Sequence, residues 1–203
     1  GSSSHVHQSL WKGDEAAFFD KSGKHGMSAL MAHYMAGLIK YAPDYTYFLA
    51  PYVNSYKRFA KATFAPTKTV WSVDNRTAGF RLCGEGTKGV RVECRIGGSD
   101  LNPYLAQAVM LAAGIKGIED KLELAPATTG DIYEDAKAGD IPQNLRVSTE
   151  TLRNSAFLRE ALGDGIIPWL RSVYEGARFF PGADYESGMT DPATVKELHT
   201  SYA

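Results

Sequence analysis

The first residues of the chain alternate in polarity, which constrains them to an extended strand. Residues two apart in a strand share one face, so the side chains of His5, His7 and Ser9 are predicted to point together, away from the residues between them. Neutral imidazole is the commonest metal ligand in proteins. The pattern therefore favours a functional strand, although a Gly-Ser-Ser start is also typical of an expression-tag remnant.

A second stretch, residues 91–95, repeats this alternation. Arg91, Glu93 and Arg95 share one face, and the two residues between them point the opposite way. One interpretation is a ladder of surface salt bridges, which contributes very little stability. The other is a site that needs a metal ligand beside phosphate-binding groups. The planar guanidinium suits carboxylate and phosphate, so we predict an anionic substrate, an anionic cofactor or both, bound by a cluster that also includes Arg58, Arg76 and Arg81.

Charge and hydropathy limit the classes of partner. The 203 residues carry a formal net charge of -1, so no chain-wide field attracts nucleic acid or an anionic membrane. The longest apolar run, residues 106–115, is shorter than the roughly 20 residues that span a bilayer. Two cysteines without a secretory signal are typical of a reduced, cytoplasmic protein, so we expect neither nucleic acid nor membrane as a partner.

Periodicity predicts a mixture of helices and strands. A helix capped by Ser28 is expected to end before Pro43, and another begins at the Asn102-Pro103 pair and continues to about Leu122. A third helix is expected from Ser148 to residue 162, stopped by Gly163. Residues 128–142 are predicted to be an acidic loop. In the second helix, the residues predicted to face inward are Leu105, Val109, Ala112, Ile115 and Ile118.

Three further segments are predicted to be strands. They are residues 69–71, 78–83 and 89–96, and residues 84–88 form a hairpin-like connection between the last two. A largely antiparallel sheet follows from that connection. The predicted fold class is α+β, with an antiparallel sheet backed by helices.

Five segments, in this order, resemble the glutamine synthetase family. They are residues 1–10 (GSSSHVHQSL), 54–58 (NSYKR), 75–77 (NRT), 91–95 (RVECR) and 102–106 (NPYLA). The resemblance covers residues 1–162 and implies a partial glutamine synthetase/guanidino kinase-like catalytic domain, followed by a divergent tail over residues 163–203. It also implies an ATP-dependent ligase that phosphorylates the side-chain carboxylate of glutamate and joins it to ammonia or a small amine. ATP and Mg²⁺ (or Mn²⁺) are the implied cofactors, and a homo-oligomeric ring is implied for the full-length enzyme.

The resemblance also assigns roles to single residues. It implies that His5 and Glu93 bind the metal and that Arg76 acts at the phosphoryl-transfer centre together with Arg58. Glutamate is expected to contact Gly1, Arg58 and Arg95. ATP is expected to contact His7, Ser9, Arg81, Lys88 and Arg91.

Several features depart from the family pattern. The chain begins inside the family's catalytic domain, so only two metal ligands are identified, fewer than a hard divalent ion requires. We therefore expect the chain alone neither to bind the metal pair tightly nor to turn over ATP. A catalytically inactive structural module is the alternative. A guanidino kinase sharing the fold would explain the arginines, but not the paired histidines.

Two single positions bear on substrate and regulation. Phe64 stands where typical glutamine synthetases place a glutamate over the ammonium site. A phenyl ring can neither pair with ammonium nor accept its proton, which favours the γ-glutamylpolyamine or γ-glutamylamide branch of the family. The alternative is that another residue serves ammonia. Tyr133 lies near the tyrosine that some bacterial relatives adenylylate.

Overall fold

A computed structural model describes residues 2–61, 63–135, 138–163, 165, 183–184 and 189–190. Within these residues the α-helices are α1 (Ala29–Leu49), α2 (Pro103–Glu119), α3 (Leu145–Asn154) and α4 (Ala156–Leu162). The strands are β1 (Val6–Gln8), β2 (Trp11–Lys12), β3 (Glu15–Ala16), β4 (Trp71–Val73), β5 (Phe80–Cys83), β6 (Arg91–Cys94), β7 (Ala183–Asp184) and β8 (Met189–Thr190). Most of the predicted tail lies outside the described residues, as does Gly1.

The central sheet has four strands in the order β1-β6-β5-β4. β6 pairs antiparallel with β1 on one side and with β5 on the other, so His7 and Arg81 both lie opposite Glu93. β4 pairs with β5 in parallel, which corrects the expectation of an antiparallel sheet at this edge. The short strands permit the parallel pairing, because the six residues 74–79 reach about 20 Å when extended and can return along one strand length.

Helix α1 runs through Pro43, so the predicted end before this residue is wrong. Its start is as predicted, because the Ser28 hydroxyl accepts a hydrogen bond from the Met31 amide at 3.1 Å. Proline inside a helix costs about 3 kcal/mol. Burial outweighs that cost, since the residues that follow Pro43 include the fully buried side chains of Tyr45 and Leu49.

Helix α2 packs on α1 through glycines, and this contact defines its inward face. A Cβ atom on Gly37 of α1 would lie 2.8 Å from the Gly117 Cα, so the two backbones touch. Asn102 caps the helix as predicted, accepting from the Tyr104 and Leu105 amides. The inward prediction is confirmed for Val109 but wrong for Ile115, which is exposed. The buried residues of α2 are Ala106, Val109, Met110, Ala113, Gly114 and Gly117.

The predicted third helix is two helices. The side chain of Asn144 caps α3 by accepting from the Val147 amide at 2.9 Å, so the helix begins before the predicted Ser148. Ser155 interrupts it, because its hydroxyl accepts from the Leu158 amide as the cap of α4 and donates to Asp44. Gly163 ends α4 with φ 75°, as predicted.

The core lies between one face of the sheet and the helices α1 and α2, and it includes Phe80, Leu82 and Val92 from the strands. Cys83 and Cys94 are buried, free thiols, and burial raises the pKa of Cys94 to about 12. Across the described ranges, none of the helices has both the length and the hydropathy to cross a membrane.

Candidate anion-binding site

A cavity of about 520 Å³ opens beside strands β1, β5 and β6. The period-two pattern of β6 directs Glu93 toward it, and the antiparallel register brings Arg81 alongside. Most of its lining residues were predicted from sequence as site residues, namely His5, Arg58, Arg76, Arg81, Glu93 and Arg95.

Glu93 is the buried carboxylate of this site, with only 3% of its surface exposed. Its Oε2 accepts from Arg81 and its Oε1 from Arg95, each at 3.0 Å. The same Oε1 lies 3.0 Å from His5 Nδ1 and 3.7 Å from His7 Nε2. Burial opposes ionisation, but the Arg81 hydrogen bond and the charge of Arg95 outweigh it and lower the pKa of Glu93. The side chain is therefore an anion at neutral pH.

The imidazole of His5 is neutral at this pH. Burial and the positive charge of Arg95 lower the pKa of His5, and the charge of Glu93 opposes them only in part. Neutral imidazole is the form that binds metals and accepts hydrogen bonds. His5 can therefore act as a ligand or acceptor without adding to the positive charge of the cavity.

The arginines give the cavity an excess of positive charge. Arg95 is 5% exposed, and its Nε donates to the Arg76 carbonyl at 3.1 Å. Arg58 ends the 3₁₀ turn Val53–Arg58 and donates to the Ile96 carbonyl. Among the described residues that line the cavity, four arginines face one carboxylate. Fixed guanidiniums around a cavity favour a bound anion and stabilise charge that develops on a phosphoryl group.

Four predicted nucleotide contacts lie away from the cavity wall, and His7 is one of them. Arg91 Nε donates to His7 Nδ1 at 3.2 Å, which links it to the site through His7. Lys88 is exposed on the turn between β5 and β6. Ser9 is exposed and accepts from the Trp11 indole at 3.0 Å. Their roles stay predictions.

The described residues do not complete a site for a hard divalent ion. Within this part of the chain, no group of three or more His, Cys, Asp or Glu side chains is arranged to hold a metal. His5 and Glu93 offer two donors, and Glu93 already accepts from two arginines. Mg²⁺ requires about six ligands, so these residues do not fit the ion without further donors.

A loop at the mouth of the cavity is held by contacts that the sequence did not indicate. Phe64 is 59% exposed with φ 58°, and its carbonyl accepts from Arg95 NH2 at 3.4 Å. The buried hydroxyl of Tyr133 donates to the next carbonyl, of Ala65, at 2.8 Å. No local pattern connects residues 68 positions apart. In this conformation the Tyr133 hydroxyl is not accessible for adenylylation.

Replacing Tyr133 with phenylalanine is expected to loosen this loop. The substitution leaves the buried Ala65 carbonyl without its donor, which costs about 1 kcal/mol. Amide hydrogen exchange over residues 63–66 should become faster in Tyr133→Phe than in the native chain. Tyr104→Phe is a matched control, because Tyr104 is 84% exposed. Equal exchange over this loop in all three proteins would contradict the prediction.

The sequence is similar to proteins described as glutamine synthetases. A family described as "Glutamine synthetase, catalytic domain" matches residues 1–173. A gamma-glutamylethanolamide synthetase of Streptomyces coelicolor is 39% identical over 173 residues, which cover 85% of this chain and 37% of that protein. A glutamine synthetase of Thermus thermophilus is 39% identical over 173 residues, covering 82% of this chain and 39% of that protein. The chain thus spans less than two fifths of the length of either relative.

The fold is also similar to solved structures. A protein named GmaS, solved in complex with ADP, superposes with a TM-score of 0.79 at 30% identity, covering 98% of this chain and 46% of that chain. GmaS without ligand gives a TM-score of 0.78 at 27% identity, covering 94% and 45% of the two chains. The similarity therefore extends across nearly all of this chain and less than half of the other.

Proposed function

This chain belongs to the glutamine synthetase family, and on that premise we propose that it forms the anion-binding part of an ATP-dependent ligase that joins glutamate to an amine. The observation that carries the proposal is the cavity lined by four arginines, His5 and the buried carboxylate of Glu93, which accepts from Arg81 and Arg95. The ADP complex of GmaS supports a nucleotide as one of the ligands. The cytoplasmic location and the homo-oligomeric ring stay predictions.

The proposed reaction has two steps, and both involve anions that the arginines can hold. An oxygen of the glutamate side-chain carboxylate attacks the γ-phosphorus of ATP, and ADP leaves with the electron pair of the broken P–O bond. The amine nitrogen then attacks the acyl carbon of γ-glutamyl phosphate, loses a proton and expels inorganic phosphate. Arg76 is proposed to contact the moving phosphoryl group, and Arg58 and Arg95 the carboxylate. Fixed positive charge lowers the barrier where negative charge develops.

Mg²⁺ or Mn²⁺ remains the cofactor expected from the resemblance, but none of these residue roles depends on it. His5 and Glu93 do not complete its coordination, so we also propose that the isolated 203-residue chain makes no amide. Amide formation by the purified chain would contradict this part of the proposal. A structural module without activity is the second candidate, and the incomplete donor set is the observation that favours it.

The test is phosphate release by the complete gene product that contains these residues, supplied with glutamate, ATP and a panel of amines. We expect release that requires both glutamate and an amine. Release that stays at the background of a Glu93→Gln control with every amine in the panel would support the structural module. Absence of release with every amine would overturn the proposed ligase.

Phe64 is proposed to select the amine. Its exposed ring stands at the mouth of the cavity, where it offers apolar contact to an alkyl group and no acceptor for ammonium. We therefore propose a small, partly apolar amine as the acceptor. The similarity to a gamma-glutamylethanolamide synthetase supports this branch.

Replacing Phe64 with glutamate is expected to shift the preference toward ammonia. One methylene in a hydrophobic pocket changes discrimination by about 10–200-fold. The ratio of kcat/KM for ethanolamine to that for ammonia should therefore fall by about tenfold or more. Phe64→Leu keeps an apolar side chain and should preserve the native ratio. Ammonia as the best acceptor of the native protein would reject the role of Phe64 while leaving the ligase proposal intact.

A further inference from the structure

The turn that joins β5 to β6 is docked on the 3₁₀ turn Lys24–Gly26, which precedes α1. The Gly86 amide donates to the His25 carbonyl at 2.9 Å. The His25 ring is bonded to the Glu85 carboxylate, with 2.5 Å between Nδ1 and Oε1. Two turns that are 60 residues apart in sequence are thus joined by a backbone and a side-chain hydrogen bond.

Where the two turns meet, the backbones are in close contact and one residue other than glycine has a positive φ. A Cβ atom on Gly26 would lie 2.7 Å from the Gly86 Cα, so no larger residue fits at this contact. His25 adopts φ 62° and ψ 13°, in the left-handed region that is uncommon for residues other than glycine. Backbone strain persists only where surrounding contacts compensate for it. Three contacts hold His25 here: the bond from the Gly86 amide, the bond to Glu85 and an edge contact with the Trp71 ring, whose centroid lies 6.1 Å away.

The docked turn continues directly into the anion-binding site. The Gly89 carbonyl accepts from Arg91 NH1 at 3.2 Å, and Arg91 Nε donates to His7 Nδ1 at 3.2 Å. His7 Nε2 in turn lies 3.7 Å from Glu93 Oε1. The same turn carries Lys88, so a displacement of residues 84–90 would move two cations and the imidazole beside the carboxylate.

We propose that His25 and Glu85 are positioning residues, which hold the turn of residues 84–90 against the 3₁₀ turn and thereby set the affinity of the chain for a nucleoside diphosphate. This inference rests on the proposed function, because it takes the nucleotide to be a ligand of the site. Neither side chain lines the cavity. Both act through the position of Lys88 and Arg91.

The test combines amide hydrogen exchange with titration of ADP into the 203-residue chain. In Glu85→Ala, exchange over residues 84–90 should become faster and the Kd for ADP should rise about five- to tenfold, the lower range for coupling between linked sites. The melting temperature should stay close to that of the native chain, because Glu85 is half exposed. Glu85→Gln retains an oxygen that accepts from the imidazole and should restore most of the affinity.

A double-mutant cycle tests whether the two residues act as a pair. His25→Asn tolerates the left-handed backbone but removes the imidazole, and with it both the Glu85 bond and the contact with Trp71. It should therefore weaken ADP binding at least as much as Glu85→Ala, and the double variant should be no weaker than His25→Asn. Glu123→Gln, at an exposed carboxylate on another loop, should change nothing. Native affinity in Glu85→Ala, or no recovery in Glu85→Gln, would overturn the positioning role alone. A native chain that does not bind ADP would overturn it together with the nucleotide part of the proposed function.

Discussion

Replacing Glu93 with glutamine is expected to lower the free energy of unfolding by about 3–5 kcal/mol, the usual cost of breaking a buried ion pair by removing one partner. The carboxylate accepts from Arg81 and Arg95, whose side chains are 20% and 6% exposed. Without it, Arg81 keeps Asp74 as a partner, but the guanidinium of Arg95 loses the carboxylate that it contacts, in a cavity that already has an excess of positive charge. Urea unfolding followed by far-UV circular dichroism gives the measurement.

Two variants separate this effect from a general sensitivity of the cavity. Arg76→Gln changes an exposed side chain that lines the same cavity and should alter stability by about 0.5 kcal/mol or less. Adding Arg95→Met to Glu93→Gln removes the charge that has lost its partner and should recover part of the loss. If Glu93→Gln were as stable as the native chain, the carboxylate would not be what holds these arginines together.

The grouping of arginines around Glu93 could be predicted from the sequence because it follows from local patterns. Alternation of side chains in residues 91–95 placed Glu93 and Arg95 on one face, and the hairpin-like connection predicted that the strand carrying Arg81 would lie alongside. The pairing of β1 with β6 joins residues more than 80 positions apart. No local pattern predicts it, and the resemblance to a family alone indicated that His5 belongs with Glu93.

The predictions that failed did so where tertiary contacts override local preference. Pro43 is an unfavourable residue for a helix interior, yet the buried side chains that follow it keep α1 continuous. The contact of Tyr133 with the Ala65 carbonyl has no signal in either segment. The Ser9 hydroxyl accepts from the Trp11 indole, and its contact with a nucleotide stays a prediction.

No periodic pattern in the sequence predicted the packing of α1 on α2. Substitutions at this contact are expected to produce the second large loss of stability. Replacing Gly37 with alanine places a Cβ atom against the Ala113 carbonyl and 2.8 Å from the Gly117 Cα. In an unobstructed helix, glycine to alanine would stabilise by about 0.5–1 kcal/mol. Here the two helices must separate, so we expect a net loss of about 3 kcal/mol, at the upper end of the cost of overpacking a core.

Substitution of the facing glycine, Gly117 of α2, gives a second test of this contact. A Cβ atom on Gly117 would lie 2.7 Å from the Gly37 Cα and against the His33 carbonyl, so Gly117→Ala should cost a similar amount. Gly89→Ala is the control, because its nearest neighbour would be the Thr87 hydroxyl at 3.4 Å, and its stability should equal that of the native chain. Either substitution forces α1 and α2 apart, and the wider spacing made by one methyl group also accommodates the other. The free energy of unfolding of the Gly37→Ala/Gly117→Ala double variant, measured in urea, should therefore fall by less than the sum of the two single decreases. Strict additivity would mean that each clash is relieved locally and that the glycines do not set the distance between α1 and α2.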